Sequence, residues 1–118
     1  MKVYVYYNLH RKLWSIKALE GPHKGRVVAH KHHVVLCGVT PKVSQAGRAR
    51  VLRDKRKNVH AGLVGQWVHS GPLPTTLTDW TEITYNPYKY TSFVHKDTEQ
   101  EYCGSSYAYL ADKRVYIL

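Results

Sequence analysis

Carboxylates are scarce in this sequence. Eight Asp and Glu stand against eighteen Lys and Arg, for a formal charge of +10 at pH 7. Residues 1–78 contain only Glu20 and Asp54 as acids. Two-metal phosphoryl chemistry needs several acidic ligands, so that stretch argues against it. Cysteine is rarer still: Cys37 and Cys103 stand far apart and no Cys-x-x-Cys is present, which removes zinc-finger spacing. Without a secretory pattern, two reduced thiols packed as small apolar residues are expected rather than a disulfide. No apolar run approaches the ~18 residues of a membrane-spanning helix. The N-terminus alternates as Lys2-Val3-Tyr4-Val5-Tyr6, where a signal peptide is continuously apolar. The expectation is a cytoplasmic protein with no membrane partner. The P-loop, the dinucleotide Gly-x-Gly-x-x-Gly and the Gly-x-Ser-x-Gly elbow are also missing, so no nucleotide or redox cofactor is expected.

What is present points to a folded domain. Three tryptophans and ten tyrosines accompany an apolar fraction of 43%, and disordered chains are poor in aromatics. A length of 118 residues fits one domain, 1–118, able to bury a core without staples. Charge is unevenly placed within it. Residues 1–78 hold fourteen Lys/Arg, while 79–118 hold four Lys/Arg against six Asp/Glu and are Tyr-rich. One-signed charge over two thirds of a domain creates a field that attracts polyanions.

Period-two patterning dominates. Val3–Tyr7 and Leu13–Leu19 read as strands joined by a turn at Asn8–Lys12. Arg26–His30 starts a third strand, and His33–Cys37 continues it or pairs with it, with Gly38, Thr40 and Pro41 closing the segment. Ser44 is placed to cap a helix over 45–57, whose thin apolar stripe is Ala46, Ala49 and Leu52. The rival reading of that segment is a hairpin with Arg48–Arg53 and Val59–Val68 as its arms. Val59–Val68 reads as a strand, with Gly62 and Gly65 marking a bulge or a close backbone approach. Residues 70–79 form a loop. Trp80–Tyr85, Tyr88–His95, Tyr107–Ala111 and Arg114–Leu118 complete the set. The fold class is α+β, mainly an antiparallel sheet of seven or eight short strands with one basic helix; the alternative is all-β.

Three constellations carry chemistry. Arg48, Arg50, Arg53, Arg56 and Lys57, with Lys24, Arg26 and Lys31 extending the surface, are the candidate nucleic-acid contacts. Phosphates need guanidinium and ammonium groups with little acidic competition, although charge runs are often plain solvated faces. Tyr4, Tyr6, Tyr7 and Trp14, and Tyr85, Tyr88 and Tyr90 beside Lys89, are candidate stacking rings for unpaired bases. Tyrosines along a strand also pack one face and expose their hydroxyls, which is the plainer reading. Eight histidines include His30, His32 and His33. In a strand His30 and His32 share a face and are the only weak metal candidates, with a third ligand from His10, His60 or His69. No nearby carboxylate supports them, and the expectation is no metal and no catalytic residue. Solvent-exposed or hydrogen-bonded imidazoles are the default.

The segments Val5-Tyr6-Tyr7-Asn8-Leu9-His10, Gly25-Arg26-Val27-Val28-Ala29-His30, Val43-Ser44-Gln45-Ala46-Gly47-Arg48, Lys57-Asn58-Val59-His60-Ala61 and Ile83-Thr84-Tyr85-Asn86-Pro87-Tyr88-Lys89-Tyr90 together resemble a family of small proteins from tailed bacteriophages. The resemblance transfers no catalytic residue. It implies an accessory protein acting in the cytoplasm of an infected bacterium. Three functions are then expected in order. The first is non-enzymatic binding of DNA or RNA. The second is protein–protein inhibition of a host or anti-phage defence complex, and the third a histidine-dependent, metal-independent nuclease.

Overall fold

The computed structural model describes residues 1–73 and 77–118. Its strands are β1 (Lys2–Asn8), β2 (Leu13–Ala18), β3 (Val27–Lys31), β4 (His33–Val43), β5 (Ala61–His69), β6 (Thr81–Thr84), β7 (Val94–His95), β8 (Ser105–Ala111) and β9 (Arg114–Ile117), with one helix, α1 (Gln45–Asp54), between β4 and β5. All nine strands form one antiparallel sheet in the order β3-β2-β1-β5-β4-β8-β9-β6-β7. The α+β reading dominated by antiparallel sheet holds, with nine strands where seven or eight were expected.

The first hairpin forms as its pattern predicts. Asn8 Oδ1 accepts from the amides of His10 and Arg11 at 3.0 and 3.1 Å, a side-chain turn of the kind asparagine favours. The last hairpin turns on Asp112 and Lys113, both at positive φ, the tight geometry whose twist matches paired strands. Val3, Val5, Ile16, Val34, Leu36, Val39, Leu63 and Leu110, with Ile83 and Ile117 from the far end of the sheet, share one core. The sheet therefore curls so that its inner face closes around a single apolar cluster.

Four expectations are corrected. His33–Cys37 neither continues β3 nor pairs with it. His32 makes a bend, β3 lies on the edge against β2, and β4 sits between β5 and β8. Nor do Gly38, Thr40 and Pro41 end the strand, because Gly38, at φ +58°, sits in a bulge against β5. The bulge moves the inward positions from Val34 and Leu36 to Val39, and β4 runs on to Val43. The helix is real and the rival hairpin is not. Ser44 caps it by accepting from Gly47 N, but it stops at Asp54 because Lys55 turns left-handed and returns its N–H to Val51 O. Its inward residues are Gly47 and Val51, while Ala46 and Ala49 are exposed. Tyr88–His95 is mostly a turn: Asn86 O accepts from Lys89 N and Tyr90 N, leaving only Val94 and His95 as strand. The loop expected at 70–79 falls partly outside the described residues.

Candidate nucleic-acid interface

The site is built from the alternation of β1. Val3 and Val5 are fully buried, so Tyr4 and Tyr6 take the opposite, outer face. Register sets their neighbours. Tyr4 stands between Lys17 of β2 and Val64 of β5, and Val27 pairs Lys17 in turn. Tyr6 pairs Ser15, which lies opposite His30 and bonds its Nδ1 at 2.9 Å. Lys42 of β4 lies opposite Gly62 of β5. Gly62 is glycine for a visible reason: a Cβ there would come within 2.4 Å of Val5 O and 2.7 Å of the Tyr4 ring. The bare backbone lets Tyr4 lie across β5, where Lys42 Nζ sits 5.7 Å from its ring centroid, a cation–π contact. The Tyr4 and Tyr6 rings are 5.9 Å apart and tilted by 35°. Burial, and then the neighbouring Tyr6, pushes the Tyr4 hydroxyl up to about 12, so it is neutral at any physiological pH.

These residues floor a groove of about 370 Å³ edged by Lys17, Gly25, Val27, Lys42, Val59 and His60. A second groove, of about 640 Å³, shares Val59 and His60 with it and is lined further by Leu9, Val51, Lys57, Tyr85, Pro87 and Tyr88. Tyr88 is 56% exposed, and Lys55 Nζ lies 5.5 Å from its ring centroid. His60 is the partition between the grooves. Its Nε2 pairs with the Tyr85 hydroxyl at 2.7 Å and its Nδ1 with Asn58, and its side chain packs where a Cβ on Gly47 would collide.

The basic residues read from the sequence separate into groups. Lys24 and Arg26 are exposed in the β2–β3 loop, flanking Gly25 at the first groove. Lys57 lines the second. Lys31 pairs with Trp14 and so lies on the other side of the sheet from Tyr4 and Tyr6. Arg48 turns inward, its Nε donating to Pro87 O and Tyr90 O at 3.0 and 2.9 Å. It clamps the helix to the β6–β7 connection, with Gln45 Nε2 donating to Thr91 O beside it. Arg53 is held by Asp54 at 2.9 Å, and Arg53 and Arg50 keep that carboxyl below its ordinary range, the Arg53 hydrogen bond most of all. Arg50 and Arg56 remain exposed.

The stacking candidates divide in the same way. Tyr4, Tyr6 and Tyr88 reach the outer surface or its grooves, whereas Trp14 is buried on the core side, with Tyr7 packed edge-on against it. Tyr90 bonds Glu99, which also holds Lys89 at 2.9 Å. Among the described residues no three His, Cys, Asp or Glu are grouped to hold a metal ion. The shared face expected for His30 and His32 is broken by the bend at His32. Lys17 and Lys42 are site residues that the sequence pattern does not reveal. Each sits inside a strand pattern, and only register brings them to one ring, Lys17 by the β1–β2 pairing and Lys42 across Gly62 of β5.

No helix of the described residues is long and apolar enough to cross a membrane. No solved structure matches the chain. It is similar to the gene 82 protein of Mycobacterium phage L5, with 42% identity over 121 residues that cover 98% of this chain and 94% of that protein. The family model described as Mycobacterium phage L5 gene 82 protein matches residues 1–118. Length, core, grooves and loops are thus all within the matched span, and the chain belongs to the bacteriophage family of the Mycobacterium phage L5 gene 82 protein.

Proposed function

We propose that this phage accessory protein binds nucleic acid, without catalysis, through the outer face of its basic half, in the cytoplasm of the infected host. One observation carries the reading. The ion pairs between described residues engage Arg53, Lys89 and Lys96, so Lys17, Lys24, Arg26, Lys42, Arg50, Arg56 and Lys57 have no carboxylate within pairing distance among the described residues. Cations without carboxylate partners, with Lys17 and Lys42 in the first groove and Lys57 in the second, are what a phosphate backbone requires. Arg48 and Arg53 contribute less than the sequence suggests, because their guanidinium groups already have partners.

The test is binding of the purified, nucleic-acid-free protein to labelled DNA and RNA over a salt series. Affinity is expected to fall steeply with salt. Replacing Lys17 and Lys42 by Ala reduces the log–log slope by about 0.7–0.9 for each phosphate no longer neutralised, whereas Arg48→Ala leaves the slope unchanged. Affinity that is flat with salt, or absent, overturns the reading and moves the same charge to an acidic protein partner such as a defence complex.

A further inference from the structure

We infer that the occupant of the two grooves is an unpaired nucleic-acid strand, its bases laid on Tyr4, Tyr6 and Tyr88. This inference rests on the nucleic-acid reading above and adds the state of the ligand. A duplex offers phosphates and groove edges but no free base faces, and it is read by a helix or ribbon entering the major groove. Helix α1 is poorly equipped for that. Arg48 is turned in to the carbonyls of Pro87 and Tyr90, Arg53 is clasped by Asp54, and no arginine but Arg50 is left on it without a side-chain bond or ion pair among the described residues.

The outer sheet face is equipped for single strands. Base–aromatic stacking needs accessible rings spaced along a cationic track; Tyr88 is exposed, and the half-buried Tyr4 and Tyr6 line the first groove. Tyr4 and Tyr6 succeed each other along β1 with centroids 5.9 Å apart, between Lys17 on one side and Lys42 on the other. Their groove, about 370 Å³, lies at the small end of ligand-sized pockets (~300–1,000 Å³), suited to flat rings rather than to a double helix. At the Val59–His60 ridge the first groove meets the second, which Tyr7, Tyr85 and Tyr88 line with Lys57.

The two ends share a device. Lys42 rests on Tyr4 and Lys55 on Tyr88, each ammonium between 5 and 6 Å from a ring centroid. A lysine stem is flexible, so an arriving base takes the ring face while the displaced ammonium moves to the adjoining phosphate. Each lysine keeps the platform covered until a strand arrives.

The experiment compares one labelled pyrimidine-rich sequence as single-stranded DNA, as single-stranded RNA and as a blunt duplex, over the same salt series, against four proteins: unaltered, Tyr88→Ala, Tyr4→Phe with Tyr6→Phe, and Lys17→Ala with Lys42→Ala. Tyr88 is exposed, so its removal leaves the fold intact, which a circular-dichroism melt checks. The single strands are expected to bind tighter than the duplex. Tyr88→Ala lowers single-strand affinity about 5- to 150-fold, the value of one stacked base, with the salt slope unchanged. The double Phe variant keeps its ring faces, so a loss of affinity in it would place the contact on the hydroxyls and overturn the stacking inference. The ratio between the DNA and RNA arms identifies which strand is preferred. Equal binding of duplex and single strand, or a Tyr88→Ala protein with unchanged affinity, overturns the inference while leaving nucleic-acid binding in place. Salt-sensitive binding of none of the three probes overturns both.

Discussion

The two parts of the chain keep apart in space as they do in sequence. Strands from the basic part, β3-β2-β1-β5-β4, lie together on one side of the sheet, and strands from the acidic part, β8-β9-β6-β7, on the other, meeting at the β4–β8 seam. Their outer faces are finished differently. On the acidic side Leu73, Leu77, Trp80 and Tyr116 cover Val35, Tyr109 and Ala111 in a second apolar cluster, and Lys89 and Lys96 are paired with Glu99 and Glu82. On the basic side the outer face carries an open groove, and Lys42 rests on the Tyr4 ring with no carboxylate in pairing distance among the described residues. One side is closed by an apolar cluster and ion pairs while the other keeps a groove open. On the proposed function, scaffold and contact surface are separated within a single sheet.

That separation is of surface and not of core, and the largest effect tests it. Leu36, fully buried at the seam, packs with residues of both sides. Leu36→Ala is expected to cost about 2–5 kcal/mol, with tryptophan fluorescence and circular dichroism melting together. Two separated transitions would show that the halves have independent cores. Next in size, Arg48→Ala removes charge-assisted hydrogen bonds to two carbonyls and is expected to cost ~1.5–3 kcal/mol in urea unfolding, while Arg50→Ala leaves stability within ~0.5 kcal/mol and weakens nucleic-acid binding. If the two arginines exchanged these behaviours, the division into clamp and contact would be wrong. Gly62→Ala forces a methyl against Val5 O and the Tyr4 ring, with an expected cost of about 1–3 kcal/mol by chemical denaturation and a disturbed platform.

The smallest effects separate the halves by pH. Tyr4, raised to about 12 by burial, binds its proton more tightly folded than unfolded. Its contribution is complete below the unfolded value of ~10 and is lost as pH rises through the folded one. Tyr4→Phe should flatten that alkaline loss in a melting-temperature profile. Glu99 is depressed, first by the Tyr90 hydroxyl and then by Lys89. Its contribution is complete above ~4.3 and disappears as pH falls through the lower folded value. The pair is exposed and the acid-limb change small, so Glu99→Gln should remove only a shallow slope there.

Much of the fold was legible because period-two patterning and turn chemistry are local. Val3 and Val5 announce their own inward face, Asn8 its turn and Ser44 its cap. What failed locally failed for a physical reason. Gly38 has the look of a strand end, and only pairing with β5 turns it into a bulge. Tyr88–His95 has strand composition, yet Asn86 captures Tyr88, Lys89 and Tyr90 in a turn and only Val94 and His95 remain strand. Val51 lies off the helix's apolar stripe, yet it is the apolar helix residue that the fold buries.

The site divides along the same line. The sequence by itself determined that the protein is basic, where the charge is concentrated, that the sheet is antiparallel and that tyrosines alternate along β1, because composition and short-range period are properties of neighbours in the chain. Only the tertiary structure decided which cations are free. Arg48 and Arg53 found partners, while Lys17 came to stand beside Tyr4 by direct pairing and Lys42 across a glycine. That outcome depends on strand register and on carbonyls some forty residues away, which no local pattern encodes.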